Sequence, residues 1–167
     1  MKKFSSIATG VLLMCAATFA QNSTPFKVNV GKFSEEYTEA GKSQINSKTL
    51  SNFSNRFDDG VKNVMWTKDK DHIDRVYFET DGKVTRAGFN KKGQFLYSIT
   101  TYKEEMLPVD VWVIVKEKYY HKSIFCVAEV NVMNNIAFII TLEDATSWRK
   151  IKVQDDQVTE EQVYLKN

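Results

Sequence analysis

The chain has 167 residues, with 23 Lys+Arg against 21 Asp+Glu, a formal charge of +2 and two cysteines. About one domain fits that length; a charge so near balance offers no broad footprint for nucleic acid, and two cysteines cannot staple a disulfide scaffold. Apolar residues at 43% and aromatics at 13% suffice for a packed core rather than a disordered chain.

Residues 1–20 read as an export signal. Lys2 and Lys3 precede an apolar stretch from Ile7 to Phe19, and Ala20 offers a small residue before Gln21. The stretch falls short of the roughly 20 residues of a membrane span. A lipoprotein cut before Cys15 is the alternative, but Met14 stands where such signals place a small residue. Cleavage near Ala20/Gln21 makes the protein periplasmic or secreted, with no membrane insertion afterwards. It removes Lys2 and Lys3 and no acid, leaving 21 bases against 21 acids. Cys126 is then the one remaining cysteine, so the mature chain holds together by packing. Residues 21–46 are polar, without a sustained period, and read as a lead-in to a domain over 47–167.

Ser47 is a plausible N-cap for a short helix through Leu50, Phe53 and Phe57, ended by Asp58-Asp59-Gly60. A strand through Val64 and Trp66 leads to the acidic loop Asp69–Asp71. Val76 and Phe78 alternate with Arg75, Tyr77 and Glu79, which is strand periodicity. Asp81-Gly82 signals a hairpin, returning through Ala87 and Phe89. Lys91-Lys92-Gly93 then turns the chain into a strand over 94–101.

Pro108 favours a helix start, with Val109, Trp112, Val113 and Tyr120 able to share one face. The alternation of Val109, Val111, Val113 and Val115 also fits a strand. Pro108, the continuation Lys116-Glu117-Lys118 and the parallel with the first half favour helix. Strands are expected over 123–132, 136–143 and 147–154, with a shorter one over 161–165. Phe57 and Tyr119, Asp81 and Asp144, and Phe89 and Val153 correspond at offsets of 62, 63 and 64. That pattern predicts two copies of one helix-plus-meander unit, about 47–102 and 107–165. The fold class expected is α+β: one antiparallel sheet with helices on one face.

These features carry a family resemblance. The helix ending before Val64-Met65-Trp66 is one of them. Others are the hairpin from Val76 to Phe89 with its Asn90-Lys91-Lys92-Gly93 turn, Leu107-Pro108 opening the second helix, and the run from Tyr119 to Glu129. Together they resemble the secreted PepSY-like domains, grouped with β-lactamase-inhibitor-protein-like (BLIP-like) folds. The resemblance implies an exported bacterial domain whose open sheet face binds a protein partner. It implies no shared catalytic residues. Asp155-Asp156-Gln157 departs from the glycine turn the pattern would place before the last strand.

Catalytic chemistry finds little support in the chain. Cys126 alternates with Ile124, Ala128 and Val130 and is expected in the core, where a free cysteine behaves as a small hydrophobe. His72 and His121 are the only histidines. Asp69, Asp71, His72 and Asp74 begin like a calcium loop but lack its Gly and distant Glu. Glycine-rich phosphate loops and Gly-x-Ser-x-Gly are absent. The paired carboxylates Glu104-Glu105, Glu143-Asp144 and Glu160-Glu161 fall at turns or strand ends, where charge keeps edges soluble. No catalytic residue, cofactor or metal is therefore assigned.

If Val76 and Phe78 face the helices, Arg75, Tyr77 and Arg86 face away, together with Trp148, Lys150 and Lys152. Aromatic residues and arginine are the types that dominate interface hot spots. The expectation is an exported, non-catalytic binding module, an inhibitor of an enzyme such as a peptidase being one form. Its partner would be a protein of the cell envelope or extracellular space. The alternatives are a periplasmic small-ligand carrier, with a pocket lined by Trp66, Trp112 and Cys126, and a metal-dependent hydrolase.

Overall fold

The structure, a computed structural model, describes residues 44–57 and 60–166. The export signal, nearly all of the lead-in, and Asp58 and Asp59 lie outside them. Helix α1 (Ser47–Arg56) precedes strands β1 (Lys62–Lys68), β2 (Asp74–Thr80), β3 (Lys83–Phe89) and β4 (Phe95–Tyr102). A 3₁₀ turn (Glu104–Met106) and helix α2 (Val109–Tyr119) follow. Strands β5 (Ser123–Val132), β6 (Asn135–Glu143), β7 (Ser147–Gln154) and β8 (Gln157–Leu165) complete the order. All eight strands join one antiparallel sheet in sequence order, from β1 at one edge to β8 at the other. Among the described residues, no helix is long and apolar enough to cross a membrane.

Local chemistry explains most of these boundaries. The cap of α1 is Asn46 rather than Ser47: the Asn46 side chain accepts from the Lys48 N–H at 2.9 Å, and Ser47 is already helical. Three hairpins close through two-residue turns whose central residues both have positive φ: Asp81-Gly82, Met133-Asn134 and Asp155-Asp156. That is the turn geometry matched to strand twist. Two aspartates thus do the work of the missing glycine, so β8 starts at Gln157 and is longer than expected.

The core forms two clusters on one side of the sheet. Under α1 lie Phe53, Trp66, Val76, Phe78, Ala87 and Phe89, together with Ile45 from the end of the lead-in. Under α2 lie Val111, Val115 and Tyr119 against Val127, Ile140, Leu142, Ile151 and Val153. The expected inner face of α2 is therefore wrong. Val109 is 77% exposed and Tyr120 81%, and Trp112 and Val113 are also exposed. The residues that go inside are spaced i, i+4, i+8, and the helix is apolar nearly all round, so hydrophobicity did not select a side.

Glu104 fixes that choice. Its Oε1 accepts from Trp112 Nε1 at 2.8 Å and pairs with Lys116 Nζ at 3.0 Å, while Oε2 accepts from the Ile124 N–H at 3.2 Å. One carboxylate thereby ties the β4–α2 connection to the outer side of α2 and to β5, a structural role beyond keeping a turn soluble. Burial pushes the Glu104 carboxyl up, but these three donors and the Lys116 charge outweigh it and hold the group below its usual value. A lowered folded pKa contributes stability above the unfolded value of about 4.3, lost as pH falls through the folded value. Glu104→Gln is therefore expected to cost about 1 kcal/mol near neutrality, with the gap closing below pH of about 4. Urea denaturation from acid to neutral pH checks this, and a gap that stays constant contradicts it.

Candidate functional site

Strand register defines the face of the sheet opposite the helices. One row across it reads Met65, Tyr77, Arg86, Ile99, Val130, Ala137. Another reads Glu79, Val84, Thr101, Ala128, Ile139, Lys152. A third joins Arg75, Gly88, Tyr97 and Val132. All six expected contact residues stand on this face opposite α1 and α2, but not in one cluster. Arg75, Tyr77 and Arg86 lie on β2 and β3; Trp148, Lys150 and Lys152 lie on β7. From β3 to β7 is four strand spacings, about 19 Å.

The two groups differ in surroundings. Tyr77 is 2% exposed rather than solvent-facing; its hydroxyl donates to Glu79 at 2.9 Å, and Asn63 Nδ2 donates to the other Glu79 oxygen. Burial and the Glu79 carboxylate push the Tyr77 phenol up to about 12, with Arg86 pulling the other way. Arg75 is half-buried and pairs with Asp69 at 2.6 Å. On β7, Lys150 is likewise 2% exposed, while Trp148 and Lys152 are half-buried. The Trp148 ring meets Phe125 edge-on at 4.7 Å, and Lys166 Nζ sits 4.5 Å from its centroid.

Between the groups, sequence reasoning missed an apolar strip. Ile99, Val130, Ala137 and Ile139, with Val84 beside them, are half-buried on the same face. Their strand parity was the available signal. Gly88 also contributes: a Cβ there would lie 2.5 Å from the Tyr97 ring, so its absence lets Tyr97 lie across the face.

The remaining candidate groups are scattered. Cys126 does not face the core. A bulge between Ile124 and Cys126 leaves Ile124 under α2 and puts Cys126, half-buried, opposite Thr141 in the row leading to Lys150. His72 sits in the β1–β2 turn and His121 between α2 and β5, both exposed. In the acidic loop, Asp69 Oδ1 accepts from the Asp71 and Ile73 N–H groups, and Asp74 turns under α1 to accept from Thr49 at 2.7 Å. The other paired acids are also engaged by the fold: Asp144 with the buried Lys122, Glu143 with Lys166, and Glu160 with Arg149. The expected carrier pocket is not assembled either. Trp66 is buried under α1, Trp112 lies on the outside of α2, and Cys126 is on the other face.

Comparison with known proteins adds to the fold. A BLIP-like protein from Bacteroides fragilis superposes with a TM-score of 0.55 at 13% identity, over 72% of this chain and 85% of its own. The fold is BLIP-like. A DUF2874 family protein from Bacteroides uniformis matches at a TM-score of 0.54 and 13% identity, over 72% of this chain and 89% of that one. A third structure, from Bacteroides eggerthii and named as a candidate periplasmic protein, matches at 0.52 and 12%, over 69% and 88%. No family model matches the chain, and no curated protein does. At such identities the BLIP-like likeness concerns architecture.

Proposed function

We propose that the chain is an exported, PepSY-like, non-catalytic binding module whose sheet face opposite α1 and α2 contacts a protein of the cell envelope or extracellular space. Inhibition of an enzyme, a peptidase for example, is the activity this reading favours. The observation that carries it is the composition of that face: an apolar strip over β3–β6 flanked by the half-buried Arg75 and Arg86 on one side and the half-buried Trp148 and Lys152 on the other. An apolar centre with a polar, solvent-accessible rim is the usual anatomy of a protein interface, and arginine is among the residues enriched there. The scattered positions of Cys126, His72 and His121 favour binding over nucleophilic catalysis. The periplasmic description of one structural neighbour and the signal-like residues 1–20 agree with export. On this reading each helix with its four following strands is one copy of a duplicated unit, which accounts for the two core clusters.

The test is affinity capture from an envelope extract with three baits: the unmodified protein, an Arg86→Glu/Lys152→Glu variant, and Ser54→Glu on the exposed side of α1. Charge reversal is preferable to Tyr77→Ala, because Tyr77 is buried and its loss would disturb packing. The expected result is a partner retained by the unmodified and Ser54→Glu baits and weakened at least ~10-fold by the double reversal. The same partner captured equally by all three would overturn the assignment of this face.

A further inference from the structure

The helix side of the sheet is apolar beneath α1 and beneath α2, but polar between them. The row that begins at Phe78 continues through Thr85, Thr100 and Glu129 before returning to apolar Phe138. These residues, with Phe57, Thr80 and Lys83, line an open cleft of about 370 Å³. A volume of that size lies within the range of small-molecule sites.

Its chemistry is sorted by position. Phe57 and Phe78 form an aromatic wall, their centroids 4.9 Å apart. Thr80 and Lys83 face each other across the β2–β3 hairpin. Thr80 Oγ1 is buried without a hydrogen-bond partner, an unfavourable arrangement that a ligand acceptor would relieve. Glu129 stands two strands from Lys83 and two residues along, about 12 Å between backbones. One of its carboxylate oxygens accepts from Tyr102 at 2.9 Å, and the residue lines the cleft. Burial and the Glu129 charge raise the Tyr102 phenol, so it remains a donor. Lys83 Nζ lies 5.1 Å from the same Tyr102 ring. None of the ion pairs among the described residues uses Lys83 or Glu129. A cation and an anion thus share a cleft without pairing, with an aromatic wall alongside.

We propose that this cleft binds a short zwitterionic peptide bearing an apolar side chain. The ligand's carboxylate meets Lys83 and the Thr80 hydroxyl, its ammonium meets Glu129, and its side chain lies on Phe57 and Phe78. A dipeptide extends about 7 Å, which suits charged groups at the two ends of the cleft. The site is on the opposite face from the proposed protein contact, so the two readings stand or fall separately.

The probe is glycyl-phenylalanine, titrated into isotope-labelled protein expressed from the full chain and followed by amide chemical shifts and calorimetry. Saturable millimolar or tighter binding is expected, with shifts confined to β2–β5 and the end of α1. Glu129→Gln, which still accepts from Tyr102, and Lys83→Met should each weaken binding at least ~10-fold, since each removes one charged contact. N-acetylated and C-amidated forms of the dipeptide should lose as much, and these leave the protein untouched should a variant misfold. No saturable shift with the unblocked peptide overturns the proposal, as does binding indifferent to blocking either end.

Discussion

Phe53→Ala is expected to lower the unfolding free energy by about 3–5 kcal/mol, a large part of the stability of a domain this size. The reason lies in where the apolar anchoring of α1 is concentrated. The helix is ten residues long, and a helix of that length is marginal by itself in water. Its apolar attachment runs through Leu50, Phe53 and Phe57, beside the polar contacts of Thr49 and Asn52, and Phe53 is the buried centre of the apolar group at 7% exposure. The Phe53 ring stands edge-on to Trp66 at 5.1 Å and to Phe78 at 5.3 Å, with Phe57 tilted against it at 5.6 Å. Truncation removes the ring that all three share, and backbone fixed in the sheet cannot collapse into the space. Phe53→Leu keeps much of the volume and should cost about 1–2 kcal/mol. Urea denaturation of the three proteins measures the difference. A loss below about 1 kcal/mol for the alanine variant would mean that α1 is not anchored through this residue. Because Phe57 is carried by the same helix, the alanine variant should also weaken any ligand in the cleft beside it.

How much of this was legible in the sequence depends on whether the deciding force was local. Strand ends at Ser123, Val132, Ser147 and Gln154 follow from alternation and turn residues alone, and the structure places them there. The inner face of α2 was not legible, because Val109, Trp112 and Val113 are as apolar as Val111 and Val115. What selects between them is the Glu104 carboxylate, brought in from the preceding turn. Cys126 was misplaced for a similar reason. Strict alternation puts it with Ile124, but the bulge reverses parity after Ile124, and neither Gly nor Pro marks it. Parity was enough to put the six proposed contact residues on the face opposite α1 and α2, yet their distance apart was not readable. Parity says which side a residue takes, while separation depends on strand order, and order is a tertiary property.

The second large effect separates steric from conformational demands on glycine. Gly93→Ala is expected to destabilise by about 2–4 kcal/mol, and Gly60→Ala by about 1 kcal/mol. Both glycines have positive φ, 77° at Gly93 and 80° at Gly60, so both substitutions force a side chain into the left-handed region. At Gly60 the nearest atom to an added Cβ is Thr80 Cγ2 at 4.0 Å, an ordinary contact, leaving only the conformational cost. At Gly93 the added carbon would lie 2.7 Å from Thr49 N and 2.8 Å from Lys48 C, backbone atoms that cannot rotate away. The β3–β4 turn is docked there on the first turns of α1. Asn52 Nδ2 donates to the Gly93 carbonyl at 2.7 Å, and Asn46 Nδ2 to that of Lys91 at 3.1 Å. The alanine must therefore move the helix or break the turn, and either loosens the packing centred on Phe53. Chemical denaturation of the two variants side by side gives the comparison. Equal losses would show that α1 and the turn yield to each other freely. A loss two to four times greater at Gly93 is what a rigid contact between turn and helix requires.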